Sequence, residues 1–236
     1  MMIIQPARFG VACAIDPYAA NRTFFLRGRG ANGAKPTTDE LGNPLTWGGG
    51  AQISTAVALW PSYGSSLAFN GTNAYIGVPD SLFDFGIGGS PFSFGARFRT
   101  SVTPSPYQFI MNHSAGNGGW GPGGEQCILY LNSSGALVWQ FWSGGSIPGI
   151  FGSANLCDGA THEALVTYDG TTTRLFADGA LIGTTTGTYT DVTGTSTRIG
   201  SAVSGSNWFN GYMVDVTAWN AAVHTAAYTP ATLPPC

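Results

Sequence analysis

The carboxylic acids are the residues best suited to chemistry in this sequence, because two facing carboxyl groups can act as general acid and general base. The chain has 12 Asp and Glu residues. Several precede a glycine or lie between loop residues, where turn formation explains them: Asp84, Asp158, Asp169 and Asp178. Three others lie beside predicted strands: Glu125, Glu163 and Asp215. No two of these three share a strand, so a catalytic pair would need distant segments, and a structural role is expected for each.

The sequence contains no recognisable motif for nucleophilic catalysis or for metal binding. The histidines are His113, His162 and His224, and none lies near a Gly-x-Ser-x-Gly nucleophile motif. The cysteines are Cys13, Cys127, Cys157 and Cys236, without the Cys-x-x-Cys spacing of a zinc site. Buried thiols are expected, with a Cys127–Cys157 disulfide as the alternative. The sequence therefore predicts no catalytic residue, no metal site and no bound cofactor.

Aromatic side chains offer a different kind of site. Most of the 7 tryptophans belong to predicted strands, where core packing explains them. Trp120 and Trp208 instead lie among Gly, Ser and Asn, which favours exposure. An exposed indole ring can stack on a sugar or anchor a protein partner. We expect these two residues to mark any glycan or partner contact.

Charge excludes one class of partner. Charged residues make up 9% of the chain, and the net charge is −3. Nucleic-acid binding requires a basic patch that displaces counterions, and the nine Lys and Arg residues are mostly scattered. We therefore expect no nucleic-acid partner. So few charges also reduce repulsion between copies, which suits a protein packed in an assembly.

No stretch approaches the roughly 20 apolar residues of a membrane span. The segment Met1–Pro6 lacks the basic start and apolar run of a signal peptide. The sequence therefore predicts synthesis in the cytoplasm without membrane insertion.

Short β-forming runs separated by turn signals predict an all-β antiparallel fold. Residues 164–168 lead into Asp169-Gly170, and residues 174–177 lead into Asp178-Gly179. Asp-Gly between apolar runs indicates a hairpin whose two turn residues both take positive φ. Further strands are predicted at these positions: 21–29, 52–56, 126–132, 136–142, 198–200 and 211–220. Gly116–Gly124 and Ser143–Gly152 are predicted to be glycine-rich loops.

The length and strand spacing favour one large β-sandwich. Residues 1–20 have no strand pattern and are predicted to form an extended arm that serves docking or assembly. Residues 21–236 are predicted to form a single domain.

Five motifs occur in the order found in laminin-G-like, concanavalin A-like jelly rolls: Ser66–Pro79, Phe83–Phe98, His162–Gly170, Arg174–Gly183 and Phe209–Asn220. Between about residues 50 and 220, the chain resembles that family in both order and spacing. The resemblance implies a sandwich of two antiparallel sheets. It also implies that His162 packs or caps a turn.

Family functions can be tested against these residues. Laminarinase-like members carry both carboxylates on one strand in a Glu-x-Asp-x-Glu pattern, and no such run exists here. Calcium-binding members have carboxylates in the loop that reads Asn70–Tyr75 in this chain. Because these carboxylates are missing, calcium is disfavoured. The resemblance thus implies a binding or structural role rather than an enzyme.

Three segments resemble the viral members of the family: Asp16–Tyr18, Ala51–Thr55 and Gly64–Leu67. The resulting hypothesis is a non-enzymatic virion protein of a tailed phage, such as a capsid decoration, head-fibre or tail-associated subunit. Its partners would be other virion proteins, further copies of itself and a host-surface glycan. The first alternative is a carbohydrate-binding or receptor-binding adhesion module, and the second is a glycoside hydrolase.

Overall fold

The computed structural model describes residues 13–83, 89–115, 119–120, 125–190 and 196–235. Within these ranges the chain forms 15 strands. Their bounds are β1 Arg22–Leu26, β2 Thr46–Gly48, β3 Gln52–Ser54, β4 Ser66–Asn70, β5 Tyr75–Val78, β6 Phe92–Arg99, β7 Gln108–Ser114, β8 Glu125–Leu131, β9 Leu137–Phe141, β10 Gly149–Phe151, β11 Thr161–Tyr168, β12 Thr172–Ala177, β13 Ala180–Thr186, β14 Ser196–Ile199 and β15 Asn210–Trp219. The helices in these ranges are two 3-10 turns, Ala19–Asn21 and Asp80–Leu82. None is long and apolar enough to cross a membrane.

The strands form two antiparallel sheets, which confirms the predicted sandwich. The eight-stranded sheet has the order β13-β12-β11-β6-β15-β4-β3, with β1 also paired to β15. The seven-stranded sheet has the order β10-β9-β8-β7-β14-β5-β2. Neighbouring strands are often distant in the chain, as in β6 between β11 and β15, which is the connectivity of a jelly roll.

Side chains that alternate along the strands fill the space between the sheets. Phe94 and Phe98 of β6 face Trp139 and Phe141 of β9 in one continuous buried cluster. Each of these four side chains is completely buried. Because successive strand residues point to opposite faces, their neighbours Gly95, Arg97 and Gln140 lie on the outer faces.

The Asp-Gly hairpins are present but differ from each other. Asp178 and Gly179 have φ of 50° and 77°, so both take the left-handed conformation predicted for a two-residue turn. In the other hairpin only Gly170 has positive φ. The expectation for Asp169 was wrong, because the loop is one residue longer and the Asp169 carboxylate accepts hydrogen bonds from the backbone N–H groups of residues 171 and 172.

Both ends of the described chain pack on the outer face of the eight-stranded sheet. We call residues 13–18 and 228–235 the terminal clasp. The Ala14 N–H donates to the Pro234 carbonyl at 2.8 Å, and Asp16 pairs with Arg22 at 2.8 Å. The part of the arm that the structure describes is thus in contact with the domain, whereas residues 1–12 lie outside the described residues.

The cysteines require one correction. Cys127 and Cys157 are both free and buried, so the alternative of a disulfide between them is wrong. Cys13, for which a thiol was expected, is disulfide-bonded. Cys236 lies outside the described residues.

Three short or irregular strands were not predicted: β2, β7 and β10. Strand β10 lies inside the segment Ser143–Gly152, where a loop was expected, because its pairing with β9 overrides the glycine-rich composition. The other predicted loop, Gly116–Gly124, lies outside the described residues except for Gly119 and Trp120. Asp84 also lies outside them.

Candidate binding surface on the seven-stranded sheet

A row of side chains crosses the outer face of the seven-stranded sheet. Strand register places the following residues side by side from β9 to β2: Gln140, Ile128, Asn112, Arg198, Gly77 and Thr46. The strand neighbours of these residues, such as Ile199 and Ile76, belong to the inner core. The polar residues of the row that reach solvent are Gln140, Arg198 and Thr46, whereas Asn112 is completely buried.

An arginine and two aromatic rings are stacked at one end of this row. The Arg198 guanidinium lies 3.9 Å from the centroid of the Tyr75 ring, which is a cation–π contact. The Tyr75 and Trp208 rings have centroids 6.3 Å apart and an interplanar angle of 34°. We call Tyr75, Arg198 and Trp208 the aromatic patch, and all three are half-buried.

Glycine at position 48 makes room for the patch. A Cβ at Gly48 would lie 1.9 Å from the Tyr75 ring. The Tyr75 side chain therefore occupies the space directly above β2. Any side chain at position 48 would displace the ring and disturb its contacts with Arg198 and Trp208.

The loop that carries Trp208 is held by hydrogen bonds. The Gly200 N–H donates to the Ile110 carbonyl, and the Phe109 N–H donates to the Asn207 carbonyl at 2.9 Å. The Asn112 amide oxygen accepts the Val203 N–H at 2.7 Å. These bonds fix Trp208 relative to the sheet before any ligand arrives, which lowers the entropy cost of binding.

Trp120, the other predicted contact residue, lies on the same face of the same sheet. It packs, half-buried, against a small outer cluster. The members of that cluster are Phe109, Ile128, Tyr130, Val138 and Ala202. Because Ala202 belongs to the loop that carries Trp208, both predicted tryptophans are associated with one loop.

Glu125 lies next to this face, and its carboxylate takes part in a hydrogen bond that supports the structure. Its carboxylate accepts a hydrogen bond from the Asn112 amide. Burial raises the pKa of Glu125, while the hydrogen bonds from Asn112 and Ser114 oppose that rise. Glu125 therefore holds Asn112, which in turn holds the Trp208 loop.

The other two candidate carboxylates lie on the opposite sheet, where they line one cavity together with Arg97. Glu163 pairs with Arg97 at 3.1 Å and accepts a hydrogen bond from the Tyr228 hydroxyl at 2.7 Å. Asp215 accepts hydrogen bonds from the Trp60 indole and from the Tyr63 hydroxyl. The fold thus places Glu163 and Asp215 at the same cavity, whereas Glu125 lies on the other sheet of the sandwich.

The histidines have structural partners. His162 joins two turns, with Nδ1 2.8 Å from Asp178 and Nε2 3.0 Å from Asp158, in agreement with the predicted packing role. His113 is buried with Nδ1 2.8 Å from the Thr197 hydroxyl. His224 stacks on Tyr228 with centroids 3.8 Å apart.

The loop at the family's calcium position is closed by its own amides. The Asn70 amide oxygen accepts the backbone N–H groups of residues 72, 73 and 74. The Asn70 amide nitrogen donates to the Asn73 side chain at 2.7 Å. In the described ranges no three His, Cys, Asp or Glu residues are grouped as metal ligands.

Sequence patterns did not identify Tyr75 or Arg198 as site residues. Both carry a signal that could have been used, since each alternates with core residues and must therefore face outward: Tyr75 precedes Ile76, and Arg198 precedes Ile199. What the pattern could not provide was their proximity, because β5 and β14 are neighbours only through the sheet order.

Solved structures share this fold at low sequence identity. The Ruminococcus gnavus IT-sialidase CBM40 bound to alpha2,3 sialyllactose matches with a TM-score of 0.50 and 16% identity, over 58% of this chain and 78% of that one. The binding domain of Paraclostridial Mosquitocidal Protein 1 matches with a TM-score of 0.59 and 14% identity, over 87% and 50%. The binding domain of botulinum neurotoxin DC in complex with rat synaptotagmin II matches with a TM-score of 0.59 and 13% identity, over 87% and 49%.

The chain spans about half the length of the two toxin domains. At these identities the similarity shows the fold. No curated protein sequence matched the chain. The family model of the laminin-G-like concanavalin A-like lectin/glucanases superfamily matches residues 70–227, which is more than half of the chain. The chain therefore belongs to the concanavalin A-like lectin/glucanase superfamily, as a laminin-G-like domain.

Proposed function

We propose that this protein is a non-enzymatic binding module whose aromatic patch holds a glycan. The observation that carries the proposal is the contact of Arg198, Tyr75 and Trp208 on a fixed, half-exposed surface. Aromatic faces bind the C–H surface of a sugar ring, and a guanidinium donates hydrogen bonds to hydroxyl or carboxylate oxygens. Similar structures bound to sialyllactose and in complex with synaptotagmin II support a binding role.

The neighbouring row of side chains extends this surface beyond one sugar unit. Gln140 carries an amide at one edge, and Thr46 carries a hydroxyl at the other. Asn112 lies between them but is completely buried, so it supports the Trp208 loop and is not offered to the ligand. Strands lie about 4.8 Å apart, so an oligosaccharide that follows this row passes over several strands. An oligosaccharide laid across the sheet from β9 to β2 would meet the polar side chains of Gln140, Arg198 and Thr46.

The experiment is a glycan-array screen of the full chain, followed by calorimetry on Trp208→Ala and Trp120→Ala. We expect binding of at least one glycan, with a loss of tenfold or more for Trp208→Ala. A matched control is Leu181→Ala, because Leu181 is 43% exposed on β13 of the other sheet and the variant removes an exposed apolar side chain away from the proposed surface. Failure to bind any glycan, or equal losses in all three variants, would contradict the proposal.

The carboxylate contacts support the absence of catalysis. Glu163 is paired with Arg97, and Glu125 is bonded to Asn112. Glycosidase chemistry needs one carboxyl as acid and a second as nucleophile or base. We expect no reducing ends to be released from bacterial polysaccharides; release that disappears in Glu163→Gln or Glu125→Gln would establish a hydrolase instead.

For the biological setting, we propose a subunit displayed on the virion of a tailed phage. The viral motifs Asp16–Tyr18, Ala51–Thr55 and Gly64–Leu67 support it, as does the low content of charged residues, 9%. Residues 1–20 would provide docking to other virion proteins, with the domain as a homo-oligomer. Mass spectrometry of purified particles should detect the protein in many copies per particle, and its absence would refute this setting.

A further inference from the structure

The terminal clasp borders a half-open cavity of about 270 Å³ on the outer face of the eight-stranded sheet. Strands β6, β11 and β15 form its floor, and residues 14–18 together with parts of 228–235 form its other side. This cavity lies on the opposite sheet from the aromatic patch, so it is independent of the proposed glycan surface.

Among the described residues that line this cavity, the one carboxylate without an ion pair belongs to a residue with a strained backbone. Strand β15 has a bulge between Val214 and Thr217, opposite β6. Within it Asp215 has φ of 52°, a left-handed conformation that non-glycine residues rarely adopt. Bulges redirect side chains next to functional sites. Here the bulge directs the Asp215 carboxylate to the Trp60 indole and to the Tyr63 hydroxyl, which lies 2.8 Å away.

The other carboxylates of the cavity are neutralised by arginines. Asp16 pairs with Arg22 at 2.8 Å, and Glu163 pairs with Arg97 at 3.1 Å. For Asp215, by contrast, no salt bridge to a cation is present in the described part of the chain. Its hydrogen-bond donors are neutral groups, so its negative charge has no direct ion pair and is offset only by the more distant charges of Arg97 and Arg27.

The surrounding walls are aromatic. Trp60, Trp219 and the stacked pair of His224 and Tyr228 line the cavity. One face of the Trp60 ring is covered by the Arg97 guanidinium at 3.9 Å, so Trp219 and the His224–Tyr228 pair are the aromatic groups offered to a ligand. Aromatic faces attract cations as well as apolar groups. A carboxylate without a direct ion pair, beside aromatic walls, is chemically complementary to an ammonium group on a small carbon skeleton.

We propose that this cavity binds a small organic cation, a protonated primary amine on a skeleton no larger than a six-membered ring, with Asp215 as its counter-ion. The ammonium group donates hydrogen bonds to the Asp215 carboxylate. The ring lies against the aromatic side chains of the walls.

Binding depends on the ionisation of Asp215. Burial raises its pKa to about 6, against the opposing effect of the bonds from Trp60 and Tyr63 and the charges of Arg97 and Arg27. A simple alkylammonium keeps its proton to about pH 10. Affinity should therefore rise about tenfold between pH 5 and pH 7.5, as Asp215 loses its proton.

Other ionisable groups face the same region from the surrounding elements: Asp16, Arg22, Arg27, Tyr63, Arg97, Glu163, His224 and Tyr228. Burial lowers the pKa of His224, so its protonation in acid would also repel an ammonium ligand. The contribution of Asp215 must be separated from that of His224 by a variant.

The experiment is calorimetric titration of the full chain with cyclohexylamine and with cyclohexanol, which share a ring and differ in charge. The variant is Asp215→Asn, because asparagine tolerates left-handed backbone and retains an acceptor oxygen. Asp158→Asn is the matched control, since it makes the same change outside the cavity lining. The amine–alcohol comparison on the unaltered protein does not depend on the folding of either variant.

We expect cyclohexylamine to bind at least tenfold more tightly than cyclohexanol at pH 7.5, with this preference lost in Asp215→Asn and kept in Asp158→Asn. Equal binding of the two probes, no measurable binding of the amine, or an unchanged preference in Asp215→Asn would overturn the proposal. Trp208→Ala should leave amine binding unaltered, so this result and the glycan result can fail separately.

Discussion

At the scale of single residues, His162 shows how this protein uses its few charges. Its two ring nitrogens contact Asp178, in the β12–β13 turn, and Asp158, in the loop before β11. Burial alone would lower the pKa of His162, but the bonds to the two carboxylates outweigh it, and the pKa is raised. The folded state therefore binds the proton more tightly than the unfolded chain does.

This linkage predicts a pH dependence of stability. A raised histidine pKa stabilises the fold fully below the unfolded value of about 6.5, and that stabilisation is lost as the pH rises through the folded value. The pKa of Asp158 is lowered from an already acidic value, so Asp158 does not titrate in this window. Urea unfolding should show that His162→Gln loses more stability at pH 5.5 than at pH 8. A loss independent of pH would contradict this.

His224 provides the opposite case. Burial against Tyr228 lowers its pKa, so the folded state favours the neutral ring. The resulting stability is present above the unfolded pKa and is lost as the pH falls. We expect the acid-side loss of stability to be smaller in His224→Gln than in the unaltered protein, measured by the same urea titrations. Parallel pH curves for the two proteins would rule out the linkage.

At the scale of elements, the turns determine how consecutive strands pair. The Asp178-Gly179 turn matches the twist of β12 and β13 and also contacts the terminal clasp, since the Tyr228 N–H donates to the Gly179 carbonyl at 2.9 Å. One glycine thus serves both the hairpin and the packing of the chain end.

A pair of glycine variants separates these two roles. Gly179 has φ of +77°, and a Cβ there would lie 2.0 Å from the Tyr228 carbonyl oxygen. Gly42 has φ of +91° with nothing within 4 Å of such a Cβ. We expect Gly42→Ala to cost about 1 kcal/mol of unfolding free energy, and Gly179→Ala to cost about 1–3 kcal/mol more because of overpacking. Equal losses in denaturant unfolding would show that the close contact does not constrain the clasp.

At the scale of the whole molecule, stability comes from the layer between the sheets. Phe94 is completely buried at the centre of this layer, between Phe83 and the strands of the eight-stranded sheet. Phe94→Ala should lower the free energy of unfolding by about 3–5 kcal/mol. Phe151→Ala makes the same change at a side chain that is 62% exposed, and should cost within about 0.5 kcal/mol. Similar losses of unfolding free energy in the two variants would contradict the assignment of Phe94 to the core and of Phe151 to the surface.

The sandwich could be predicted because its signals are local. The run of β-forming residues at 164–168 and the turn at Asp178-Gly179 each depend on neighbours in the chain, and the structure has them as expected. Strand β10 could not be predicted, because its formation depends on pairing with β9 rather than on its own composition.

The candidate sites were predictable only in part, for the same reason. The composition around Trp208 indicated exposure, but its contact with Tyr75 depends on the order of strands in the sheet. The role of Asp215 depends on a bulge in β15, and its sequence context is that of an ordinary strand residue. The spatial grouping of residues distant in the chain is the information that local patterns lack.

The most direct test of the account is a nitrogen–proton NMR titration of the full chain with a glycan identified on the array. We predict that the largest shifts fall on Tyr75, Arg198 and the Trp208 indole N–H, with smaller changes on Asn112. Shifts concentrated on the eight-stranded sheet, around Arg97 and Glu163, would contradict the assignment of the glycan surface.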